Sequence, residues 1–233
     1  MEINAQTIFI ALTGGIFPAL LWLWFWLKED ALQPEPRGLI IFTFVAGTLS
    51  VLLVLPIEKF FYSELRDGFL LIVVWAATEE IMKYGAAYMI ALKTKFLDEP
   101  IDCVIYMITA ALGFAGLENA LFLISTIQKS GLAEGLATQN LRFIVASLLH
   151  VIGSASIGIA MALSFYRDWF LRKTYLFFGI VFAVLLHTLF NFFIIKNSGE
   201  NIFTVFGFVW VVVVIFLLIF EKIKRMSPVK NSL

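Results

Sequence analysis

The chain has 233 residues, 61% of them hydrophobic and 15% charged, with a mean hydropathy of +0.94. Soluble domains are about half apolar and about a quarter charged, so this composition excludes an ordinary water-soluble domain. The formal net charge of +0 gives no support to nucleic acid as a partner, and Cys103 as the only cysteine excludes an intramolecular disulfide and any paired-cysteine metal motif.

The first apolar run is Thr7–Leu27. No Lys or Arg precedes Lys28 and no small-x-small cleavage site follows the run, so it reads as a retained span and not a signal peptide. Six further runs follow: Gly38–Ile57, Phe69–Leu92, Cys103–Ile127, Phe143–Tyr166, Thr174–Ile195 and Ile202–Phe220. Each is long enough to cross a hydrocarbon core of roughly 30 Å as a helix. None alternates apolar and polar residues in the manner of a barrel strand, and lipid leaves helices as the other choice. The expected architecture is an all-α polytopic bundle of about seven transmembrane helices. A single transmembrane helical domain spans 1–222, and a short basic tail at 223–233 lies against anionic lipid.

Basic residues set the expected orientation. With the N-terminus outside, the inner segments hold eleven Lys and Arg and the outer segments five, while Lys83 lies within a span. Trp22, Trp24 and Trp26 beside Lys28 fit an interfacial belt at the inner surface. The C-terminus is then cytoplasmic.

Four runs put ionisable groups into these spans. The third run carries Glu79, Glu80 and Lys83, the fourth Glu118 with Asn119, and the fifth and sixth His150 and His187, the only histidines; Asn191 follows in the sixth. Each charge at mid-bilayer costs at least about 2.5 kcal/mol, so such residues face the bundle interior and mark function. Helical spacing lets Lys83 pair with Glu79 at i,i+4 or Glu80 at i,i+3, and puts His187 and Asn191 on one face. At a rise of about 1.5 Å per residue, Glu79, Glu118, His150 and His187 lie roughly 11–15 Å below the outer surface, in one layer.

A carboxylate, two imidazoles and an amide at one depth suit hydrolysis. A desolvated carboxylate can act as general base on water, while imidazole and amide groups hold the water or an oxyanion. Glu with two His is also a catalytic zinc set that leaves a fourth position open. The residues permit both, and they do not decide which of Glu79 and Glu80 points inward. Ser147 and Ser154, flanking His150, read as helix-packing residues, and Lys95, Asp98, Glu99 and Asp102 as a solvated turn.

At these residues the chain resembles the PrsW-type intramembrane proteases of the CAAX-protease and bacteriocin-processing superfamily. The resemblance rests on four ordered motifs over about half the chain: Glu79-Glu80-x-x-Lys83; Asp98-x-Pro100-x-Asp102, Tyr106 and Gly113-Phe114-Ala115-x-x-Glu118-Asn119; Arg142 with His150 and Gly158; and His187-x-x-x-Asn191. Phe122 stands where many members carry Tyr. The resemblance implies site-2-like cleavage of a single-span membrane substrate such as an anti-sigma factor. Glu79 and Glu80 would be the core catalytic pair, His150 and His187 would complete the site, and Asn191 would support an oxyanion. Lys83, Glu118 and Asn119 would support them. Zinc, if used, would be held among Glu79, Glu80, His150 and His187. Two other readings stand beside it: a CAAX-type prenyl peptidase or bacteriocin-immunity relative, and an ion- or proton-coupled transporter, for which intramembrane Glu and His also serve.

Overall fold

The computed structural model describes residues 4–29, 33–66, 68–196 and 202–226; within these, the side chains of 138–145, 194–196, 202–206 and 209 are left out of account. The protein is all-helical, and no strand occurs among the described residues. The helices are α1 (Ala5–Glu29), α2 (Arg37–Leu65), α3 (Phe69–Ala87), α4 (Pro100–Ser130), α5 (Leu132–Leu163), α6 (Trp169–Lys196) and α7 (Ile202–Lys224). Each of the seven apolar runs overlaps one of them. Five (α1, α2, α4, α6 and the 146–163 part of α5) are long and apolar enough to cross a membrane. α3 is not among them; it carries Glu79, Glu80 and Lys83 in its middle. Large apolar side chains such as Phe9, Phe42, Phe178 and Leu218 stand more than 60% exposed, a surface that suits lipid and not water.

α4 is the axis of the bundle. In its most apolar stretch 72% of residues are buried, and 78% in that of α5, against 22% in α1 and 33% in α2 and α6. Small residues let the neighbouring backbones close on it. A Cβ on Gly113 would collide with the Phe44 carbonyl of α2, and one on Gly47 with the Ala110 carbonyl of α4. The Thr48 hydroxyl lies 3.0 Å from the carbonyl oxygens of Phe44 and Gly113, bridging the same crossing. On the α5 side, a Cβ on Gly158 would come within 2.7 Å of the Cys103 carbonyl and Val104 Cα. α7 closes against α1 through Trp26 on Phe216 and Phe220, at ring-centroid distances of 5.6 and 5.3 Å, and through Lys224–Glu29 at 3.0 Å.

Two local features depart from the sequence expectation. α2 runs on past Ile57 to Leu65 through Pro56, so Glu58 lies within the helix. The turn before α4 is solvated only in part: Lys95 and Asp98 are exposed, but Glu99 and Asp102 are 8% and 1% exposed. They form a capping box, and Asp102 Oδ2 accepts the backbone N–H groups of Asp98 and Glu99 at 3.0 and 2.7 Å. The Tyr106 hydroxyl donates to Glu35 of the α1–α2 segment, tying it to the same end of α4. These carboxylates satisfy helix-end donors that apolar surroundings would otherwise strand. Cys103 is buried as a packing residue. The basic tail lies outside the described residues beyond 226.

Candidate active site

α3, α4, α5 and α6 bring the intramembrane polar residues into one cluster. Glu79, Glu80 and Lys83 come from α3 and Glu118 and Asn119 from α4; His150 comes from α5 and His187 from α6. Glu80 and Lys83 are fully buried, His150 and His187 are 2% exposed, and Glu79 is 6% exposed. The two imidazole rings stand edge to face, 5.4 Å apart at 88°. Gly153 on α5 gives Glu80 its space, since a Cβ there would sit 3.2 Å from Glu80 Oε1.

Donor and acceptor chemistry separates the two adjacent glutamates. Both oxygens of Glu80 are occupied. Oε1 takes the Lys83 ammonium at 2.7 Å and His187 Nδ1 at 2.9 Å, and Oε2 takes the Ser154 hydroxyl at 2.7 Å. Glu79 Oε2 is buried with no hydrogen bond. It faces Lys83 Nζ at 3.4 Å, His150 Nδ1 at 3.7 Å and His187 Nε2 at 3.8 Å. A buried carboxylate oxygen without a donor is costly in a stable core and expected of a group kept for a ligand.

The same chemistry fixes the ring tautomers. Lysine can only donate, so His150 Nδ1, 2.9 Å from Lys83 Nζ, is an acceptor. The hydrogen is then on Nε2, which donates to Glu118 Oε2 at 2.7 Å. In a neutral His187 ring, Nδ1 meets a carboxylate and carries the hydrogen, so Nε2 presents a lone pair toward Glu79. Three lone-pair atoms, one each from Glu79, His150 and His187, thus converge within 4.8 Å of one another.

This set fits a divalent cation. Glu with two neutral His is a zinc donor set. Each imidazole presents one nitrogen inward while a carboxylate, Glu118 or Glu80, holds the other, the outer arrangement that orients metal-bound histidines. Glu79 Oε2 has the Lys83 ammonium at ion-pair distance, 3.4 Å, but accepts no hydrogen bond. Glu80, named above among the possible ligands, has no oxygen to spare.

The serines flanking His150 are more than packing residues. Ser154 holds Glu80, and Ser147 Oγ receives the Asn119 amide at 3.1 Å. Their i+4 and i−3 positions from His150 were the available signal. Glu58 is a further carboxylate that the sequence reading placed outside the span; it lies within electrostatic reach of Glu79, Glu118 and Lys83. The Glu118 side chain, 30% exposed, is the open edge of the cluster. Asn191 stands half-buried one turn beyond His187. The side chain of Arg142 lies outside the described residues.

Comparison with known proteins agrees with this geometry. The family described as PrsW family intramembrane metalloprotease matches residues 35–219. Protease PrsW of Halalkalibacterium halodurans is 27% identical over 88% of this chain and 92% of its own length. Protease PrsW of Geobacillus kaustophilus is 27% identical over 82% of both chains, and that of Oceanobacillus iheyensis 32% over 49% of this chain and 54% of its own. No solved structure matches. The matched region holds every residue of the cluster, and the chain belongs to the PrsW family of intramembrane metalloproteases.

Proposed function

We propose that the protein is a site-2-like intramembrane endopeptidase that hydrolyses a peptide bond in or near the span of a single-span membrane substrate, such as an anti-sigma factor. The observation that carries this reading is the buried convergence of Glu79, His150 and His187, with Glu79 Oε2 accepting no hydrogen bond. In this reading α3 and α7 are also spans, giving seven, with the N-terminus outside. The cleaving site then lies in the outer half of the bilayer.

Glu79, His150 and His187 would hold a divalent cation such as zinc, which supplies Lewis acidity and an acidified water. Water enters past Glu118, the exposed edge. Glu79, through the carboxylate oxygen not on the cation, would accept its proton as the water oxygen bonds to the scissile carbonyl carbon. The Asn191 amide donates to the oxyanion. The proton then passes from Glu79 to the leaving nitrogen as the C–N bond breaks, giving a carboxylic acid and an amine. Glu80 does not touch the substrate; it fixes His187 and Lys83. Glu118 does the same for His150, and Asn119 with Ser147 braces α4 against α5.

The test is cleavage of a co-expressed single-span substrate by Glu79→Ala, Glu80→Ala and His187→Ala. Loss in all three is expected; full retention in all three overturns the reading. Chelation of the purified protein distinguishes the metal-dependent from the metal-free form of the reaction. Substrate-dependent ion flux into liposomes without proteolysis would favour a transporter instead.

A further inference from the structure

Lys83 is a fully buried cation among lone-pair atoms. Its Nζ contacts Glu80 Oε1 at 2.7 Å and His150 Nδ1 at 2.9 Å, and faces Glu79 Oε2 at 3.4 Å. The Phe114 ring lies beneath it at 4.6 Å. Two of these three acceptors, His150 Nδ1 and Glu79 Oε2, lie 3.7 Å apart and belong to two of the three residues that converge as cation ligands. The ammonium and a divalent cation therefore need the same lone pairs.

We propose that Lys83 is a built-in competitor for the cation site: its ammonium engages His150 Nδ1 and Glu79 Oε2 when no divalent cation is bound, and a bound cation displaces it from both. This rests on reading Glu79, His150 and His187 as cation ligands. The physical need is charge balance. Among the described residues, Glu79 and Glu80 have Lys83 as their one ammonium or guanidinium partner, beside the two imidazoles. Placing such a set in lipid before any metal arrives is costly. Lys83 supplies one positive charge from the same helix, so the chain can insert and pack unloaded. Displacement leaves the ammonium a place to stay, because Glu80 Oε1 and the Phe114 face lie outside the converging set and hold it at i,i+3.

The consequence is that Lys83 weakens metal binding while it stabilises the unloaded site, the reverse of a ligand. Full-length protein in detergent is titrated with zinc against a fluorescent chelator, in wild type, Lys83→Met, Lys83→Gln, Lys83→Arg and Glu79→Gln, and thermal unfolding is followed with and without zinc. Removing a like charge so near the site should tighten zinc binding by at least about tenfold in Lys83→Met and Lys83→Gln. Zinc should raise their unfolding temperature more than that of the wild type. Lys83→Arg, which keeps the charge, should show no tightening.

Zinc binding to wild type that is lost in Glu79→Gln and unchanged or weakened in Lys83→Met overturns the competitor role and leaves the cation site standing. Zinc binding to none of the variants overturns both. A Lys83→Met or Lys83→Gln protein that folds only when zinc is supplied supports the proposal, since the metal then replaces the ammonium. If both variants fail to fold with zinc as well as without it, the lysine is needed alongside the metal and the proposal falls.

Discussion

Adjacent glutamates on one helix have been given opposite tasks by their partners. Glu80 makes three hydrogen bonds and is fully enclosed, whereas Glu79 keeps one oxygen without any. Truncating Glu80 therefore removes the shortest contact of the Lys83 ammonium and strands the His187 N–H and the Ser154 hydroxyl. Removing one partner of a buried pair costs about 3–5 kcal/mol, and Glu80→Ala should lose stability on that scale. Glu79→Gln keeps the shape and breaks no hydrogen bond at Oε2, so it should unfold close to the wild-type temperature. As the base it should still lose cleavage by about 10²–10⁴-fold. Thermal unfolding and substrate cleavage measured on the same two variants check the division; comparable unfolding losses in both would contradict it. Glu118 acts through His150, so Glu118→Ala should lower zinc affinity or cleavage by about 10–100-fold with the fold intact. Zinc titration of that variant beside wild type is the measurement.

At the scale of elements, the bundle depends on close approach to α4. Gly113 and Gly47 face each other's helix backbones at one crossing, with no room for a Cβ at either. Gly113→Val forces α2 and α4 apart and pulls the Thr48 hydroxyl from the Gly113 carbonyl. Overpacking of this kind costs typically about 1–3 kcal/mol. Gly38→Ala, at a position with nothing within 4 Å, should leave stability unchanged. Unfolding of the two variants in detergent checks the contrast, and equal effects would mean that the crossing carries no special load.

Much of this level was readable in the sequence, because seven apolar runs and their charged interruptions follow directly from the thickness of a bilayer. The depth argument for Glu79, Glu118, His150 and His187 also held as a shared cluster, since helical rise converts residue number into height. What height cannot give is rotation. Adjacent residues differ by about 100° around a helix, so the choice between Glu79 and Glu80 waited for the partners that surround each. Ser154 and Ser147 were passed over for the same reason: small residues beside glycine serve packing as readily as hydrogen bonding. Glu99 and Asp102 looked solvated because carboxylates near a Pro usually are, and only the fold shows them capping α4 under the α1–α2 segment. Glu58 was lost at a boundary, where α2 continues past the end of its apolar run.

For the whole molecule, the position of the cluster along the bundle determines where a substrate is cut, and orientation then determines which leaflet that is. Glu118 and His187 sit nearer the ends of α4 and α6 that face the α4–α5 and α6–α7 connections, and Glu79 and His150 lie near the middle of α3 and α5. The basic residues favour the opposite ends as cytoplasmic, with eleven Lys and Arg against five. Cys103 is the only cysteine and is buried, so single introduced cysteines report sidedness without interference. Lys129→Cys, before the α4–α5 connection, should react with a membrane-impermeant maleimide in intact cells. Lys173→Cys near the start of α6 and Lys224→Cys at the end of α7 should react only after the membrane is opened. The reverse pattern would put the cluster in the cytoplasmic half and turn the proposed cut to the other end of the substrate span. The expected pattern makes the carboxyl-bearing and amine-bearing products unequal: the bond breaks in the outer half, and most of the substrate's span stays with its cytoplasmic part.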